Sequence, residues 1–228
     1  MDSTGKGKHG NELVQQAVKP KSARVSAKAL PMGRKGKDTR RLLMATTREL
    51  LNTKSPLELS ASTISRGAGT SPATFYVYFE NVEDILWALC EEISEDMSHL
   101  FDDDTLLRVP ERLEEDALGF VRAYCDVWAS HGPLLLYRNM EADRGNKRFN
   151  QLVLRIGLPI LVALTDRIVE AAPPDAPINR SDANAEAVVL FSAIDRIAAA
   201  LHLWPEDSLM PDVLLRAEAR VLTRMLRR

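Results

Sequence analysis

The stretch GAGTSPATFYVYFENVED, residues 67–84, places four aromatic side chains within five positions. They are Phe75, Tyr76, Tyr78 and Phe79, and a Ser-Pro pair stands shortly before them. The 228-residue chain has six Phe, four Tyr and three Trp in all. So dense a group in so short a segment indicates that the rings have different tasks, some inside the protein and some on its surface.

The residues around the rings predict two short helices joined by a tight, glycine-containing turn. Ser60 is a suitable N-cap for the first helix. Ser71 caps the second, and Pro72 suits its first position, where no amide partner is needed. The second helix can run only to about Tyr78. With a preceding helix over about residues 38–53, these elements predict a helix-turn-helix.

The second short helix needs an outer face of small or hydrogen-bonding side chains if it is to enter a DNA major groove. Phe75 and Phe79 are four positions apart, so they share one face and are predicted to pack inward. Tyr76 and Tyr78 point elsewhere and offer hydroxyls to phosphate oxygens. The residues that meet the demand on the outer face are Thr70, Ser71, Ala73, Thr74, Tyr76, Val77 and Tyr78.

Residues 39–89, TRRLLMATTRELLNTKSPLELSASTISRGAGTSPATFYVYFENVEDILWAL, resemble the N-terminal DNA-binding domain of the TetR family of transcriptional regulators. The similarity lies in a first helix that opens on basic residues, in STISRGAGTS as scaffold helix and turn, in TFYVYF as recognition helix, and in ENVEDIL at the next helix. The rest of the chain is similar only in helix number and length. The resemblance implies a DNA-binding head and a ligand-binding, dimerising body.

By position, the resemblance implies contacts with double-stranded operator DNA. Backbone contacts fall on Ser60, Thr63, Thr74, Tyr76 and Tyr78, and base edges are approached by Ser71, Ala73 and Val77. Val82 departs from the pattern, because the family usually has a lysine there and the phosphate contact of that lysine is missing. The candidates to replace it are the basic residues Arg34, Lys35, Lys37, Arg40 and Arg41.

Charge is distributed unevenly along the chain. Residues 1–41 have eleven Lys or Arg and three acidic residues, whereas the whole chain has a formal net charge of -2. This asymmetry predicts a polyanion partner for one end of the chain, although a solvated tail is the alternative. We expect a disordered basic arm at residues 1–36, a helix-turn-helix domain at 37–81, and a ligand-binding and dimerisation domain at 82–228.

The overall composition, 45% hydrophobic and 27% charged, is typical of a soluble globular protein. The longest apolar run, residues 158–164, is too short to span a bilayer, and no apolar stretch follows the basic N-terminus. Cys90 and Cys125 lie singly on apolar helical positions, which favours a cytoplasmic protein. Helical periodicity without sustained alternation predicts an all-α fold of about nine helices.

Sequence motifs of catalysis are missing: the chain has no glycine-rich phosphate loop, no His-Glu-x-x-His and no serine elbow. We therefore expect neither an enzyme nor a metal or other cofactor, and interpret Asp102, Asp103 and Asp104 as a solvated loop. Two functions compete. One is a dimeric repressor of a palindromic operator, released by a small hydrophobic effector. The other is an architectural DNA-binding protein without an effector.

The helices after residue 82 suggest a cavity and a dimer surface. Large side chains that are candidates for an apolar cavity, with polar anchors among them, are Trp87, Phe120, Tyr124, Trp128, Leu135, Arg138, Asn139, Phe149, Val153 and Ile156. The last two long helices are the candidate dimer surface, with Ala187, Leu190, Ile194, Ile197, Leu201, Leu214, Ala217 and Val221. The alternative for each group is that its members fill the core of a single chain.

Overall fold

The computed structural model describes residues 33–98, 100, 106–201, 204 and 210–227. Every regular element in these residues is helical, which confirms the predicted all-α fold. A 3₁₀ turn at Pro56–Glu58 accompanies eight α-helices. In chain order the helices are α1 (Arg34–Leu51), α2 (Ala61–Gly67), α3 (Pro72–Tyr78), α4 (Val82–Ser98), α5 (Leu113–Asp143), α6 (Lys147–Ala171), α7 (Arg180–Ala200) and α8 (Met210–Leu226).

The chain divides into two units, Met1–Leu42 and Leu43–Arg228. The described part of the first unit is the beginning of α1, which starts at Arg34 rather than near residue 38. Residues 34–36, predicted to belong to a disordered arm, are therefore helical. The sequence did not predict this turn because it has no apolar residue to mark a buried face. Residues 1–32 of the predicted arm lie outside the described residues.

The helix starts in the head agree with the capping residues that the sequence predicts. Ser60 and Ser71 each accept a hydrogen bond from the backbone amide three residues later, both at 3.1 Å. Asn81 caps α4 in the same way, at 2.9 Å. Pro72 is the first residue of α3, as expected from its missing amide hydrogen. These caps separate α2, α3 and α4 at short intervals and so define the helix-turn-helix.

Gly132 and Pro133 predict a boundary between two helices at about residues 110–131 and 133–144, but the structure has the single helix α5 there. Pro133 within it lacks an amide hydrogen, and an interior proline costs about 3 kcal/mol. Leu134 and Leu135 directly after it are buried, and burying two leucines stabilises by about 3–6 kcal/mol. Packing beyond the proline therefore compensates for the lost hydrogen bond.

The body is built around α5, which packs against α4, α6, α7 and α8. Tyr124 and Leu135 of this helix are among the largest fully buried side chains, together with Phe149 and Leu152 of α6. A separate group of fully buried side chains, including Leu43, Ile64 and Phe75, holds the head together. In the described part of the chain, no helix has the length and apolar character that a bilayer crossing requires.

Candidate nucleic-acid interface and ligand cavity

The short helix α3 is held in the head by two buried rings. Phe75 and Phe79 are 0% and 3% exposed, with ring centroids 5.6 Å apart, which confirms that they pack inward. Tyr76 and Val77 are 51% and 60% exposed. Tyr78 is half-buried and packs against the hydrophobic core. The outer face of α3 therefore presents Tyr76 and Val77 to solvent on a helix that cannot rotate without exposing a phenylalanine.

The same Ser-x-x-Thr arrangement begins both helices of the motif. The hydroxyls of Ser60 and Thr63 share a hydrogen bond of 2.8 Å, and those of Ser71 and Thr74 share one of 3.0 Å. Both serines are exposed and both threonines are half-buried. These four predicted DNA-contact residues therefore hold the helix starts in place. Each hydroxyl has two acceptor sites and one donor, so it keeps hydrogen-bonding capacity beyond these contacts.

The turn between the two helices depends on glycine at two positions for different reasons. Gly69 has a φ of 62°, in the left-handed region that favours glycine. Gly67 allows close approach, since a Cβ there would lie 2.7 Å from Cγ2 of Thr46 on α1. Thr70, which stays a predicted DNA contact, also closes this turn, because its hydroxyl donates to the Ser65 carbonyl at 3.4 Å; its side chain is half-buried.

The head has no excess of positive charge between residues 43 and 81. Its charged side chains are Arg48, Lys54, Arg66, Glu49, Glu58 and Glu80, three of each sign. Arg48 forms an ion pair with Glu92 of α4. The positive excess of the chain lies before residue 43, where Lys37 and Arg40, both predicted DNA contacts, lie on α1 within the first unit.

Helix α4, which follows the recognition helix, is tied to the start of α6. Arg148 forms an ion pair with Asp84 at 2.9 Å, and the Asn146 side-chain amide donates to Glu83 at 3.1 Å. The Arg148 guanidinium lies 4.5 Å from the ring centroid of Trp87, whose Nε1 donates to the Arg148 carbonyl at 3.4 Å. Trp87 was predicted to line a cavity, but its ring is occupied in this contact between α4 and α6.

A cavity of about 340 Å³ lies between α5, α6 and α7. Five of the ten predicted residues line it: Tyr124, Arg138, Asn139, Val153 and Ile156. The lining residues that the sequence did not indicate are Ala142, Asp143, Gly157, Phe191, Ser192 and Asp195. The cavity is thus more polar than the predicted apolar one, chiefly because α7 contributes to its wall. From sequence, α7 is predicted to belong to the dimer surface alone.

Four other large residues predicted for the cavity pack in the core instead. They are Phe120, Trp128, Leu135 and Phe149, each at most 3% exposed. Phe149, for example, makes an edge-to-face contact with Tyr137, with ring centroids 5.5 Å apart. Size alone made these residues candidates, but a large apolar side chain fills a core as readily as it lines a cavity.

The polar wall of the cavity contains a buried cation and a hydrogen-bonded carboxylate. Arg138 is 3% exposed and its Nε donates to Oδ1 of Asn139 at 3.0 Å. Tyr124 donates its hydroxyl hydrogen to Oδ1 of Asp195 at 2.6 Å. Burial raises the pKa of Tyr124, and Asp195 raises it further, so the phenol stays a neutral donor. Burial lowers the pKa of Arg138, while Tyr124 and Asp195 oppose that change.

The predicted dimer residues are divided between the inside and the outside of the protomer. Ala187, Leu190 and Ile194 are buried in the core of their own chain, so a second copy cannot reach them. Ile197, Leu201, Leu214 and Ala217 are half-buried, and Val221 is 47% exposed. Helix α7 has apolar residues on two faces, and periodicity does not tell which face meets the protomer's own core.

The apolar side chains that these two helices do present to solvent form a second set. On α7 they are Ala185, Val188, Val189 and Ala193, and on α8 they are Met210, Val213 and Val221. Val189 is the most exposed of the valines among them, at 72%. Spacings of three, four and eight residues, close to whole numbers of helical turns, place each set along one side of its helix.

Residues 43–89, from the second half of α1 into α4, match the family model of bacterial regulatory proteins, tetR family. A curated relative, the HTH-type transcriptional regulator EthR of Mycolicibacterium smegmatis (strain ATCC 700084 / mc(2)155), is 37% identical over 68 residues. That alignment covers 28% of this chain and spans 31% of the length of the relative. Both matches cover less than a third of this chain.

Solved structures extend the similarity of fold into the body. A tetR-family transcriptional regulator from Streptomyces coelicolor aligns with a TM-score of 0.61 and 22% identity, over 86% of this chain and 79% of that one. The fatty acid degradation regulator FadR from Bacillus halodurans aligns with a TM-score of 0.52 and 17% identity, over 86% and 96%. At these identities the similarity is one of fold.

Proposed function

The chain belongs to the TetR family of bacterial regulatory proteins, and from that membership we propose that it is a dimeric transcriptional repressor whose operator affinity is lowered by a small molecule bound in the body. Regulators of this family are non-enzymatic DNA-binding proteins, in agreement with the absence of a catalytic motif in the sequence. The observation that carries the proposal is the fixed orientation of α3, whose exposed face is free to enter a major groove.

In the proposed complex, α3 lies in the major groove with Ser71, Ala73 and Val77 toward the base edges. All three are exposed. Tyr76 reaches a phosphate beside the groove, and Ser60, exposed at the start of α2, reaches another. The small side chains of these three residues allow α3 to approach the bases closely. The protein would then recognise the DNA sequence through shape and apolar contact as well as through hydrogen bonds.

The attraction to phosphates is proposed to come from the basic residues before residue 43. The helix-turn-helix itself has equal numbers of acidic and basic side chains, and Val82 supplies no cation after the recognition helix. Lys37 and Arg40, together with the basic residues that precede them, would release counterions from the DNA when they bind it. This division of labour gives α3 the specificity and the N-terminal segment the affinity.

The proposed dimer forms through the exposed apolar face of α7 and α8. Val189 and Val213, 72% and 50% exposed, are central to that face, and Ala185 and Ala193 allow close helix approach. This surface replaces the buried residues Ala187, Leu190 and Ile194 in the prediction from sequence. A two-fold dimer would place two copies of α3 about 34 Å apart, one turn of duplex, which is what a palindromic operator requires.

Helix α6 offers a path from ligand to DNA. Val153 and Ile156 of α6 line the cavity, while Arg148 near its start holds Asp84 of α4. Eight residues separate Arg148 from Ile156, which is about 12 Å along a helix. A ligand that displaces α6 would therefore displace α4, and with it the recognition helix. The coupling is a shift between two populations, limited by the difference in ligand affinity between them.

A selection of bound sequences from a random DNA pool, followed by footprinting, tests the DNA-binding part of this proposal. We expect one palindromic sequence and a discrete footprint with two half-sites about one helical turn apart. An architectural DNA-binding protein would instead coat DNA without sequence preference, and that result would replace the proposal with its alternative. Repression is tested with a reporter gene placed behind the selected sequence, where expression should fall when the protein is present.

A further inference from the structure

The cavity between α5, α6 and α7 has an apolar side and a polar side. Val153, Ile156 and Phe191 form the apolar side. Arg138 and Asp195 belong to the polar side and come from different helices, α5 and α7. A volume of about 340 Å³ suits a small organic molecule, since ligand sites of proteins have volumes of about 300–1,000 Å³. The arrangement of polar groups restricts which molecule fits.

Arg138 lacks an acceptor for part of its guanidinium. Its Nε donates to Asn139, but its Nη1 is buried and has no hydrogen-bond partner among the described residues. A buried N–H group without an acceptor costs free energy, and the cost is larger for a charged group than for a neutral one. Arg138 lines the cavity, so an oxygen atom of a ligand beside its guanidinium would compensate this buried charge. The first requirement on the ligand is therefore a hydrogen-bond acceptor.

Asp195 lies on the opposite helix and retains acceptor capacity toward the cavity. Its Oδ1 accepts one hydrogen bond, from Tyr124, whereas an ionised carboxylate has about four acceptor sites. The side chain is half-buried. An N–H or O–H group of a ligand would meet an anion here. The second requirement is therefore a hydrogen-bond donor close to the acceptor.

The charges around the cavity disfavour a ligand with a free carboxylate. The lining contains one cation, Arg138, and two anions, Asp143 and Asp195. Arg144 and Arg196 line a neighbouring cavity, but Arg144 is paired with Glu141 at 3.3 Å and Arg196 is exposed, where water screens its charge. A carboxylate ligand would be attracted by the Arg138 guanidinium but repelled by Asp195, which has the same charge and lies in a partly desolvated site.

We propose that the cavity binds a neutral, amide-like molecule, whose carbonyl oxygen accepts from the Arg138 guanidinium, whose N–H donates to Asp195, and whose apolar part lies against Val153, Ile156 and Phe191. The inference rests on the proposed function in one respect, because it identifies this molecule with the effector class. The proposed ligand differs from the hydrophobic effector expected from sequence in having a donor and an acceptor side by side.

Three compounds that share one apolar part test the inference. They are 4-phenylbutanamide, 5-phenylpentan-2-one and 4-phenylbutanoate, which have a carbonyl bonded to NH₂, CH₃ and O⁻ respectively. Calorimetric titration of the full-length protein measures their affinities. We expect the amide to bind about tenfold more tightly than the carboxylate and about fivefold more tightly than the ketone, which lacks the donor.

Two variants identify the side chains responsible. Asp195→Asn keeps an oxygen for the Tyr124 hydroxyl but replaces the negative charge with an amide, so the preference for the amide over the carboxylate should be lost or reversed. Arg138→Met should weaken amide binding about tenfold because the carbonyl loses its donor. The matched control is Arg155→Met, which changes an exposed arginine on α6 and should leave all three affinities unchanged. If Arg138→Met lowers stability, Asp195→Asn alone decides the question.

The outcomes separate the inference from the proposed function. A carboxylate that binds the native protein as tightly as the amide overturns the neutral class, and so does the failure of all three compounds to bind below about 1 mM. Operator release by ligands without any amide preference would also overturn it, while the proposed function would stand. If the amide binds with the expected dependence on Arg138 and Asp195 but leaves operator affinity unchanged, the inference stands and the coupling to DNA fails.

Discussion

The head and the body of this chain differ in how they treat charged side chains. In the head, residues 43–81, every buried residue is uncharged. The body buries Asp116, Arg138, Arg167 and Glu218. Of these, Nη1 of Arg138 and both carboxylate oxygens of Glu218 have no hydrogen-bond partner among the described residues.

This difference matches the two proposed tasks, DNA binding by the head and ligand binding by the body. The head buries no charged group and has a rigid outer face, so its properties toward DNA depend on what it exposes. The body contains desolvated polar groups whose cost falls when a ligand, or a proton, arrives. A regulator needs a DNA-binding surface and a ligand site. If the polar groups of the ligand site already have hydrogen-bond partners in the empty protein, ligand binding supplies little free energy to shift the protein to a second state.

The largest expected effect is the loss of operator affinity when basic residues before the head are removed, because residues 43–81 have no net charge. If residues 43–81 bind phosphates without excess charge of their own, removing residues 1–33 takes away six Lys or Arg and should weaken operator binding about 100-fold at about 0.1 M salt. The slope of log affinity against log salt concentration should become shallower by up to about 5. Gel-shift titrations at several salt concentrations measure both quantities.

A control for this truncation is the thermal denaturation of the shortened protein, which should match that of the full chain. Unchanged operator affinity and an unchanged salt slope would mean that the helix-turn-helix supplies its own phosphate contacts. The N-terminal segment would then be a solvated tail, and the contrast between a specific head and a basic arm would disappear.

Glu218 is a buried carboxylate of the body, and its cost should be visible in how stability depends on pH. Burial raises its pKa to about 7 from an ordinary value of about 4.3. The folded state therefore binds more protons than the unfolded state over this pH range. The contribution of Glu218 to the free energy of unfolding is complete below about pH 4 and is lost as the pH rises through about 7. Glu218→Gln should remove this pH dependence and stabilise the protein at about pH 8 by on the order of 2 kcal/mol.

Chemical denaturation at a fixed protein concentration, at about pH 5 and about pH 8, measures the effect. Glu49→Gln is the matched control, since Glu49 is exposed and its substitution should change stability by less than about 0.5 kcal/mol at either pH. A Glu218→Gln variant with the same pH dependence as the native chain would show that this carboxylate has polar partners in solution.

Gly67 tests how closely the helices of the head are packed. A Cβ at this position would lie 2.7 Å from the Thr46 methyl group, and Thr46 is buried with a β-branched, stiff side chain. Gly67→Ala should therefore destabilise the protein by about 1–2 kcal/mol despite the better helix propensity of alanine. The measurement is the free energy of unfolding in denaturant.

Two variants give this prediction its controls. Gly119→Ala changes a glycine inside α5 that has nothing within 4 Å of the added methyl group, so it should stabilise by about 0.5–1 kcal/mol. Thr46→Ser removes the opposing methyl group and should reduce the cost of Gly67→Ala in a double-mutant cycle. Equal effects of Gly67→Ala and Gly119→Ala would show that α1 and α2 are not in close contact.

Features encoded by neighbouring residues could be predicted from the sequence, because their physical causes are local. The caps at Ser60, Ser71 and Asn81 require a side-chain oxygen and an amide three residues later. The inward packing of Phe75 and Phe79 requires a spacing of four on a helix. Even the short length of α3 follows from its flanking caps. The helix starts of the head and the inward packing of its two phenylalanines therefore follow from local sequence.

Features that depend on distant residues could not be predicted in the same way. Asp195 meets Tyr124 across 71 residues of sequence, and nothing in the periodicity of α7 shows which of its two apolar faces borders the cavity. The continuity of α5 through Pro133 depends on the burial of residues beyond it. In each case the deciding free energy comes from packing between helices, which a local pattern does not contain.

The smallest expected effect concerns one hydroxyl on the rigid face of the head. Tyr76 is half-exposed on α3, and its ring packs edge-to-face on Phe75 with centroids 5.5 Å apart. Tyr76→Phe keeps the ring and removes the proposed phosphate contact, so operator affinity should fall about fivefold, or about 1 kcal/mol. Tyr137→Phe in the body is the matched control and should not affect operator binding. An unchanged affinity for Tyr76→Phe would leave that ring a packing role alone, and the head's contact with phosphate would then depend on Ser60 and the basic residues before residue 43.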